Sequence, residues 1–401
     1  MTRPTAAETD ARARPLRLVF VSHSFPPPEA PEQSVGGMQR VAVDLAAALG
    51  RRPDVALDVW APPIPFEQTA RRTAQLIADL VVRLPGRARR HRADAVLFSS
   101  MVTAATGPVL RPRMRRVALA AIAHGRDVTL PVAAHQLWLR PTFRSLDAVL
   151  SVSSATAAEC EARGLAPARS AVCPNGIDPE TATPPADRAR ARAALRERLG
   201  LPDGAAVVLA VGRQVERKGT AWFTAKVLPH LRPDAHLVVV GEGPEDEAIR
   251  QAARAAGVAG RVHQLGLVDD ETLAAARHGA DVFVMPNVPV PGDMEGFGVV
   301  ALEAALSGLY TVAAGIEGIR DAVVEPENGR LLPSGDAGAW LGALGPLLAD
   351  PEAAHAAGLA ARDGVLARFT WDRVADGHVA RLRAAAARRT GDAAGRPPEA
   401  A

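Results

Sequence analysis

The sequence has few cysteines and no long apolar run. Its 401 residues include only Cys160 and Cys173, whose spacing matches no metal-binding pattern. So few cysteines are typical of a protein from a reducing compartment, where disulfides rarely form. No run of about 18 apolar residues occurs, and residues 1–15 are polar, without the apolar stretch of a signal peptide. We therefore expect a cytoplasmic chain that does not span a membrane.

Several catalytic motifs are also missing. The sequence contains no P-loop, no HExxH and no Ser-His-Asp signature. Gly241-Glu242-Gly243 follows an apolar stretch, but Asp246 stands where a dinucleotide fingerprint needs its third glycine. A nicotinamide-dependent oxidoreductase is thereby excluded. The net charge of +3 is too small to indicate nucleic-acid binding.

What the chain does have is length and alternating order. With 401 residues, 48% of them hydrophobic, it can bury two cores, since domains usually hold about 100–200 residues. Short apolar runs alternate with helical segments, which favours an α/β fold with parallel sheets. The predicted strands cover residues 16–22, 55–60, 95–98, 117–122, 148–152, 207–211, 236–240, 261–265, 281–285 and 310–313.

Composition places the domain boundaries. Pro179, Pro184 and Pro185 lie in a charged stretch, so residues 179–200 are predicted to link a domain at 16–178 to one at 201–370. A helix is expected over 371–390. The ends, residues 1–15 and 391–401, are predicted to be disordered tails.

The most informative segment runs from Glu295 to Glu303. A Gly-Phe-Gly turn after Glu295 opens a helix, residues 299–307, that is apolar on nearly every side. Glu303 inside it is costly to bury without a polar partner, and a pair of sugar hydroxyls would suit its carboxylate. Glu295 precedes the helix, beside amide groups that the helix leaves unpaired. The alternative is an exposed loop glutamate and a salt bridge at the edge of the core.

A second constellation follows the strand at 207–211. Arg213, directly after Gly212, and Lys218, before Gly219, lie between that strand and a helix. A guanidinium and an ammonium at such a place would neutralise a diphosphate. Two solvated surface cations are the competing interpretation.

Two further loops precede helices. Gly36 and Gly37 come before a helix predicted from residue 38, where free N–H groups could approach an anion. His124 begins a loop after a strand, where ligands of open α/β sheets bind. A simple turn and a structural histidine are the alternatives.

Together these pieces resemble retaining glycosyltransferases of family 4. Gly212-Arg213 with Lys218-Gly219, Val239 to Pro244, Glu295 with Glu303, and Pro174 to Asp178 occur in the order and spacing of that family. The resemblance covers residues 16–385. It implies the GT-B arrangement, which is two facing Rossmann-like domains with parallel sheets and a cleft between them. Residues 16–178 would then bind the acceptor, 201–370 the nucleotide sugar, and the helix at 371–390 would cross back to the first domain.

The resemblance also implies roles for single residues. Arg213 and Lys218 would stabilise the leaving diphosphate of a UDP- or GDP-linked sugar, and His124 would face the reacting sugar. Glu295 would position the donor hydroxyls, and Glu303 would bind the ribose. The remaining expected donor contacts are the backbones of Gly36, Gly37, Phe297, Gly298 and Val299. No cofactor and no metal ion is expected.

The acceptor stays open: a lipid, a polysaccharide or a natural-product aglycone. The loop at 287–293 resembles a subset that includes lipid and cell-envelope mannosyltransferases. Arginine-rich segments 83–92 and 111–116 indicate either a solvated face or weak peripheral contact with a membrane. Two other functions compete: a sugar-nucleotide epimerase or hydrolase on the same fold, and a non-catalytic partner that binds sugar nucleotides.

Overall fold

A computed structural model gives the fold. It describes residues 14–23, 25, 37–62, 69–181, 184–202 and 204–390, with only the backbone of 69–71. Both expected tails, apart from residues 14 and 15, and Gly36 lie outside this part of the chain. The chain divides into two compact units: one holds residues up to 152, 156–176 and those from 371 on, and the other holds 153–155 and 177–370.

The first unit is built on a six-stranded parallel sheet in the order β2-β1-β3-β4-β5-β6. Its strands are short apolar runs, most of them buried on both faces, as parallel strands between helices must be. They are β1 (Leu16–Val21), β2 (Val55–Trp60), β3 (Ala95–Phe98), β4 (Ala118–Ala123), β5 (Ala148–Ser151) and β6 (Ser170–Val172).

The second unit repeats this plan with a different order. Its six-stranded parallel sheet runs β12-β11-β10-β7-β8-β9, so the chain order reverses between β7 and β10. In open α/β sheets ligands bind at such a reversal, at the carboxyl ends of the strands. The strands are β7 (Ala206–Val211), β8 (Ala235–Val240), β9 (Val262–Gly266), β10 (Val282–Met285), β11 (Thr311–Ala314) and β12 (Gly329–Leu332).

Sixteen α-helices connect these strands within the described residues. They are α1 (Gly37–Arg51), α2 (Thr69–His91), α3 (Met101–Ala104), α4 (Gly107–Leu110), α5 (Arg126–Thr129), α6 (Ala133–Ser145), α7 (Ser154–Ala162), α8 (Arg188–Leu199), α9 (Thr220–Lys226), α10 (Asp246–Ala255), α11 (Asp270–Gly279), α12 (Val299–Leu306), α13 (Ile319–Ala322), α14 (Ala337–Ala349), α15 (Pro351–Arg368) and α16 (Trp371–Thr390). None of them is long and apolar enough to cross a membrane.

Most predicted strands agree with the structure to within a residue or two. Strands β6 and β12 were missed, because each has four residues or fewer and lies at a sheet edge. The linker predicted at 179–200 needs correction, since its second half is helix α8. Asp187, after the prolines, accepts a hydrogen bond from the Arg190 amide (3.0 Å) and so begins the helix.

Helix α8 is an integral part of the second unit. Arg192 and Arg196 on its inner face bind Asp281, which is 2% exposed, at 2.8 and 2.7 Å. The same carboxylate accepts the Val207 amide of β7 (2.8 Å). Buried charge pairs with extra hydrogen bonds hold elements in fixed positions, so α8 is anchored to the start of the central strand.

Candidate functional site

Two loops that follow neighbouring strands of the second sheet lie against each other. The loop after β7 holds a 3-10 turn, Glu216–Lys218, and ends at Gly219, whose φ is 66°. A side chain at Gly219 would clash with the carbonyl of Pro286, which follows β10. The Val288 amide also donates to the Arg217 carbonyl (3.0 Å). Only glycine permits this approach, which brings the basic turn to the segment that leads to Glu295.

The carboxylate of Glu295 is the centre of this cluster. Its Oε2 accepts hydrogen bonds from Lys218 Nζ (2.6 Å) and Asn287 Nδ2 (3.2 Å), and it forms an ion pair with Arg217. Glu295 is only 9% exposed. Charge-assisted hydrogen bonds of this kind are strong and fix the orientation of the carboxylate.

The charges around Glu295 decide its ionisation. Burial opposes the charged form, but the attraction of Lys218 and Arg217 and the hydrogen bonds from Lys218 and Asn287 outweigh it, so the pKa of Glu295 falls to about 2. An ionised carboxylate only accepts hydrogen bonds. Glu295 is therefore an acceptor for hydroxyl donors over the whole physiological range.

A second glutamate supports the backbone of the first. The Glu317 carboxylate accepts a hydrogen bond from the Glu295 amide (2.6 Å), and the next amide, of Gly318, donates to the Glu295 carbonyl (3.1 Å). Glu317 has a φ of 48°, a left-handed conformation that is unfavourable for a residue other than glycine. Desolvation raises the pKa of Glu317. The hydrogen bond from the Glu295 amide lowers this pKa, and the negative charge of Glu295 raises it further.

The Gly-Phe-Gly turn behaves as predicted. Gly298 adopts a left-handed conformation, φ 95° and ψ 49°, directly before α12. Phe297 is buried against Phe369 with ring centroids 6.0 Å apart, so its side chain is part of the core. The first turn of α12, from Val299, presents amide groups that have no partner within the helix.

Glu303 has a partner inside the protein. It is buried on α12 and forms an ion pair with Arg277 of α11, which is also buried. This arrangement matches the salt bridge that the sequence left open as the alternative. Glu303 lies four positions beyond Val299, about 6 Å along the helix axis. Its proposed contact with a ribose stays a prediction.

Arg213 lies apart from the Glu295 cluster. Its side chain is exposed and, within the described ranges, makes no hydrogen bond or ion pair. The cation that joins Lys218 at Glu295 is instead Arg217, which the sequence analysis did not single out. The available signal was its place beside Lys218 in the same basic turn. Asn287 begins the loop at 287–293, but neither Asn287 nor Glu317 has a motif that marks it as a partner of Glu295.

The structure also explains the glycines at 241 and 243. A side chain at Gly241 would clash with the Gly212 carbonyl, and one at Gly243 with the carbonyl of Gln214. The segment after β8 thus packs directly on the backbone loop that carries Arg213. Packing of the loop therefore requires both glycines, and no bound dinucleotide is needed to explain them.

His124 lies in the first unit, at the carboxyl end of β4. Asp127 accepts hydrogen bonds from the amides of His124 (2.8 Å) and Met101 (3.0 Å), and so ties the ends of β4 and β3 together. The His124 Nε2 is 2.8 Å from the Ser99 carbonyl, which only accepts hydrogen bonds, so Nε2 carries a proton. His23, at the end of β1, has its pKa lowered by burial and by the nearby His124.

Gly37 is the first residue of α1, and a side chain there would meet nothing within 4 Å. The described part of the chain shows no steric need for glycine at this position. Among the same residues, no group of three or more His, Cys, Asp or Glu side chains could hold a metal ion.

Comparison with known proteins adds an independent line of evidence. The sequence model of Glycosyltransferase Family 4 matches residues 35–181, and that of Glycosyl transferases group 1 matches residues 205–350. Sucrose-phosphate synthase from Thermosynechococcus elongatus superimposes with a TM-score of 0.70 at 23% identity, over 92% of this chain and 99% of that chain. HepE from Anabaena, in complex with UDP, gives 0.68 at 18% identity, over 92% and 99%. These likenesses show the GT-B fold.

Relatives named for an activity match most of the chain. A GDP-mannose-dependent alpha-(1-6)-phosphatidylinositol monomannoside mannosyltransferase of Mycobacterium tuberculosis is 32% identical over 90% of this chain and 96% of its own length. The enzyme of that name from Mycolicibacterium smegmatis is 35% identical over 74% and 77%. The chain is a glycosyltransferase and belongs to family 4.

Proposed function

We propose that the enzyme transfers a hexosyl group from a sugar nucleotide, UDP- or GDP-linked, to an acceptor hydroxyl with retention of configuration. Among these donors we propose GDP-mannose. The observation that carries this proposal is the ionised, buried Glu295 held by Lys218 and Arg217 where the sheet order reverses. The relatives named for GDP-mannose, similar along the chain, support the choice of donor.

The chemistry follows from the charges at this site. Departure of a nucleoside diphosphate leaves an oxocarbenium-like sugar and places negative charge on the phosphate oxygens. Lys218 and Arg213 would stabilise that charge, usually the largest contribution to catalysis. The phosphate oxygen released by the sugar would take the proton of the acceptor hydroxyl on the same face. No protein base and no metal ion is then needed.

Each remaining residue has a defined part in the proposal. Glu295 accepts hydrogen bonds from hydroxyls of the donor sugar, and Arg217 keeps its carboxylate charged and oriented. The amides around Gly298 support the same sugar, Glu303 accepts from the ribose, and His124 contacts the reacting sugar. Gly36 and Gly37 would provide amides for the diphosphate.

The acceptor in this proposal is a lipid-linked inositol or mannoside, because the relatives are named for phosphatidylinositol monomannoside. Both cysteines are buried and unpaired, which agrees with action in the cytoplasm, at the membrane surface where such a lipid is exposed.

A thermal-shift panel of sugar nucleotides tests the donor. We expect GDP-mannose and GDP to raise Tm, because a ligand that binds only the folded state stabilises it. Incubation with donor and no acceptor separates the rival functions, since an epimerase or hydrolase would still convert the sugar nucleotide. A non-catalytic partner would bind the donor and leave it unchanged even with acceptor present.

A further inference from the structure

An apolar patch is exposed on the first unit. Of the ten large hydrophobic side chains that are exposed in the described residues, five lie between positions 109 and 138. Their exposed fractions are 44% for Val109, 36% for Leu130, 48% for Val132, 79% for Leu137 and 45% for Trp138. Pro131, Ala133 and Ala134 are exposed as well. We call these eight residues the 109–138 patch.

The patch is held in place by hydrogen bonds. Trp138 donates from its indole nitrogen to the Ala105 carbonyl (2.8 Å), which fixes the ring just before helix α4, a helix that α6 contacts. Gln136 donates to the Leu130 carbonyl (2.8 Å) and so fastens the segment before α6. Beneath the patch, Leu139 and Phe143 are buried. The apolar side chains are therefore presented on a fixed surface.

The stretch of sequence that carries the patch has surface charge of one sign. Residues 101–146 contain seven arginines and a single acidic residue, Asp127. Asp127 is buried, and its carboxylate is used by two backbone amides. The exposed arginines are Arg113, Arg115, Arg116, Arg126, Arg140 and Arg144. Nothing acidic within this stretch offsets their charge at the surface.

We propose that the 109–138 patch docks on an anionic lipid membrane. Leucine, valine and tryptophan side chains enter the boundary between headgroups and acyl chains, while the arginines bind lipid phosphates and the long stems of their side chains cover apolar surface. A second copy of this chain fits less well. A two-fold contact places the same patch on both partners and would bring together two surfaces whose arginines have no acidic residue in this stretch to pair with.

The patch continues directly into the residues around His124. The His135 ring contacts the Asp127 carbonyl (2.9 Å), and the Asp127 carboxylate holds the amides of His124 and Met101. Docking here would bring the membrane surface to the loop that is proposed to face the reacting sugar. This link to a lipid acceptor rests on the proposed function, whereas the docking itself does not.

Vesicle flotation of the full chain tests the proposal. One set of vesicles is pure phosphatidylcholine. The other contains about 30% phosphatidylglycerol, an anionic lipid that gives the vesicle a negative surface. The test variant is Val132→Ser with Leu137→Ser. The matched control is Leu267→Ser, a side chain of the second unit that is 74% exposed. A further variant, Arg115→Ser with Arg116→Ser, removes charge and keeps the apolar residues.

We expect the wild type to float with the anionic vesicles only, and to be released by high salt. Val132→Ser with Leu137→Ser should reduce the bound fraction about tenfold or more, given the apolar area removed, and the arginine variant should lower it as well. Leu267→Ser should bind like the wild type. Equal loss in the Leu267→Ser control, or unchanged binding of the patch variant, would overturn the proposal.

Two further measurements separate this proposal from neighbouring ones. The Tm and the GDP-induced shift in Tm should be the same in all variants, because the substituted side chains are exposed and lie outside the donor site. Vesicle binding without a GDP shift would contradict the proposed donor alone. A GDP shift without vesicle binding would overturn the docking surface alone. The same holds if light scattering shows a dimer that the patch variant abolishes and the wild type binds no vesicles.

Discussion

The stability contributed by Glu295 should depend on pH. Its pKa is about 2 in the folded chain against an ordinary value of 4.5, so its contribution is complete above pH 4.5 and is lost as the pH falls towards 2. We expect the difference in unfolding free energy between wild type and Glu295→Gln to be about 2 kcal/mol smaller at pH 3 than at pH 6. Urea titrations at both values measure it. An equal difference at the two values would mean that the cations do not lower this pKa.

Two arginines of the same loop should behave differently. Arg213→Ala should leave Tm unchanged, because the side chain is exposed. Turnover should fall about 100-fold, since in the proposed mechanism this cation stabilises the leaving diphosphate. Arg217→Ala should lower both Tm and turnover, because it takes one cation from the buried Glu295. Steady-state kinetics and thermal unfolding measure turnover and Tm of both variants. Arg250→Ala, at an exposed arginine, is the control. Full activity of Arg213→Ala would remove Arg213 from the mechanism.

Glu317 offers a test of stored backbone strain. Glu317→Gly relieves the left-handed conformation, so we expect stability within about 1 kcal/mol of the wild type or above it. The same change removes the acceptor for the Glu295 amide and should lower kcat. Glu317→Asn, which tolerates this conformation but has a shorter side chain, is the matched control. A Glu317→Gly enzyme with unchanged kcat would show that the contact has no part in catalysis.

At the scale of single elements, helices α11 and α12 are joined by Arg277 and Glu303. Glu303→Gln leaves a buried guanidinium without its ion pair and should lower the unfolding free energy by about 3 kcal/mol. If Glu303 also binds the ribose, GDP affinity should fall by about 1–3 kcal/mol, the value of a hydrogen bond to a charged group. Arg277→Met keeps the carboxylate and should destabilise the fold while retaining GDP binding. If calorimetric titration shows that Glu303→Gln binds GDP with the affinity of the wild type, the ribose contact is refuted.

Much of the element order could be predicted from sequence, and the reasons for the misses are physical. The central strands are apolar runs without interruption, such as Ala206–Val211, and such runs are recognisable in isolation. The edge strand Gly329–Leu332 is short and includes an exposed arginine, so no local pattern marks it. Helix α8 lies within the predicted linker because the six-residue alternation of arginine and alanine at 188–193 shows no apolar face. It is held by Asp281, far away in sequence.

At the scale of the whole molecule, two sheets of different strand order provide two separate sets of strand ends. The sequence singles out Glu295, Lys218 and the Gly298 turn because a motif marks each of them locally. It could not identify Asn287, Arg217 or Glu317 as partners of Glu295. Those contacts form where the loops that follow three different strands meet. The close backbone approaches at Gly219 and Gly318, where any side chain would clash, are visible only in the folded chain.

The stereochemistry of transfer tests the central claim most directly. The enzyme is incubated with GDP-mannose, an α-linked donor, and phosphatidylinositol monomannoside, in excess chelator, and the anomeric proton and carbon of the new linkage are observed by NMR. We predict an α-linked mannoside, formed at the same rate with and without chelator, because in the proposed mechanism Lys218 and Arg213 provide the charge that a metal would otherwise supply. A β-linked product, or transfer that stops when metal is removed, would contradict the account.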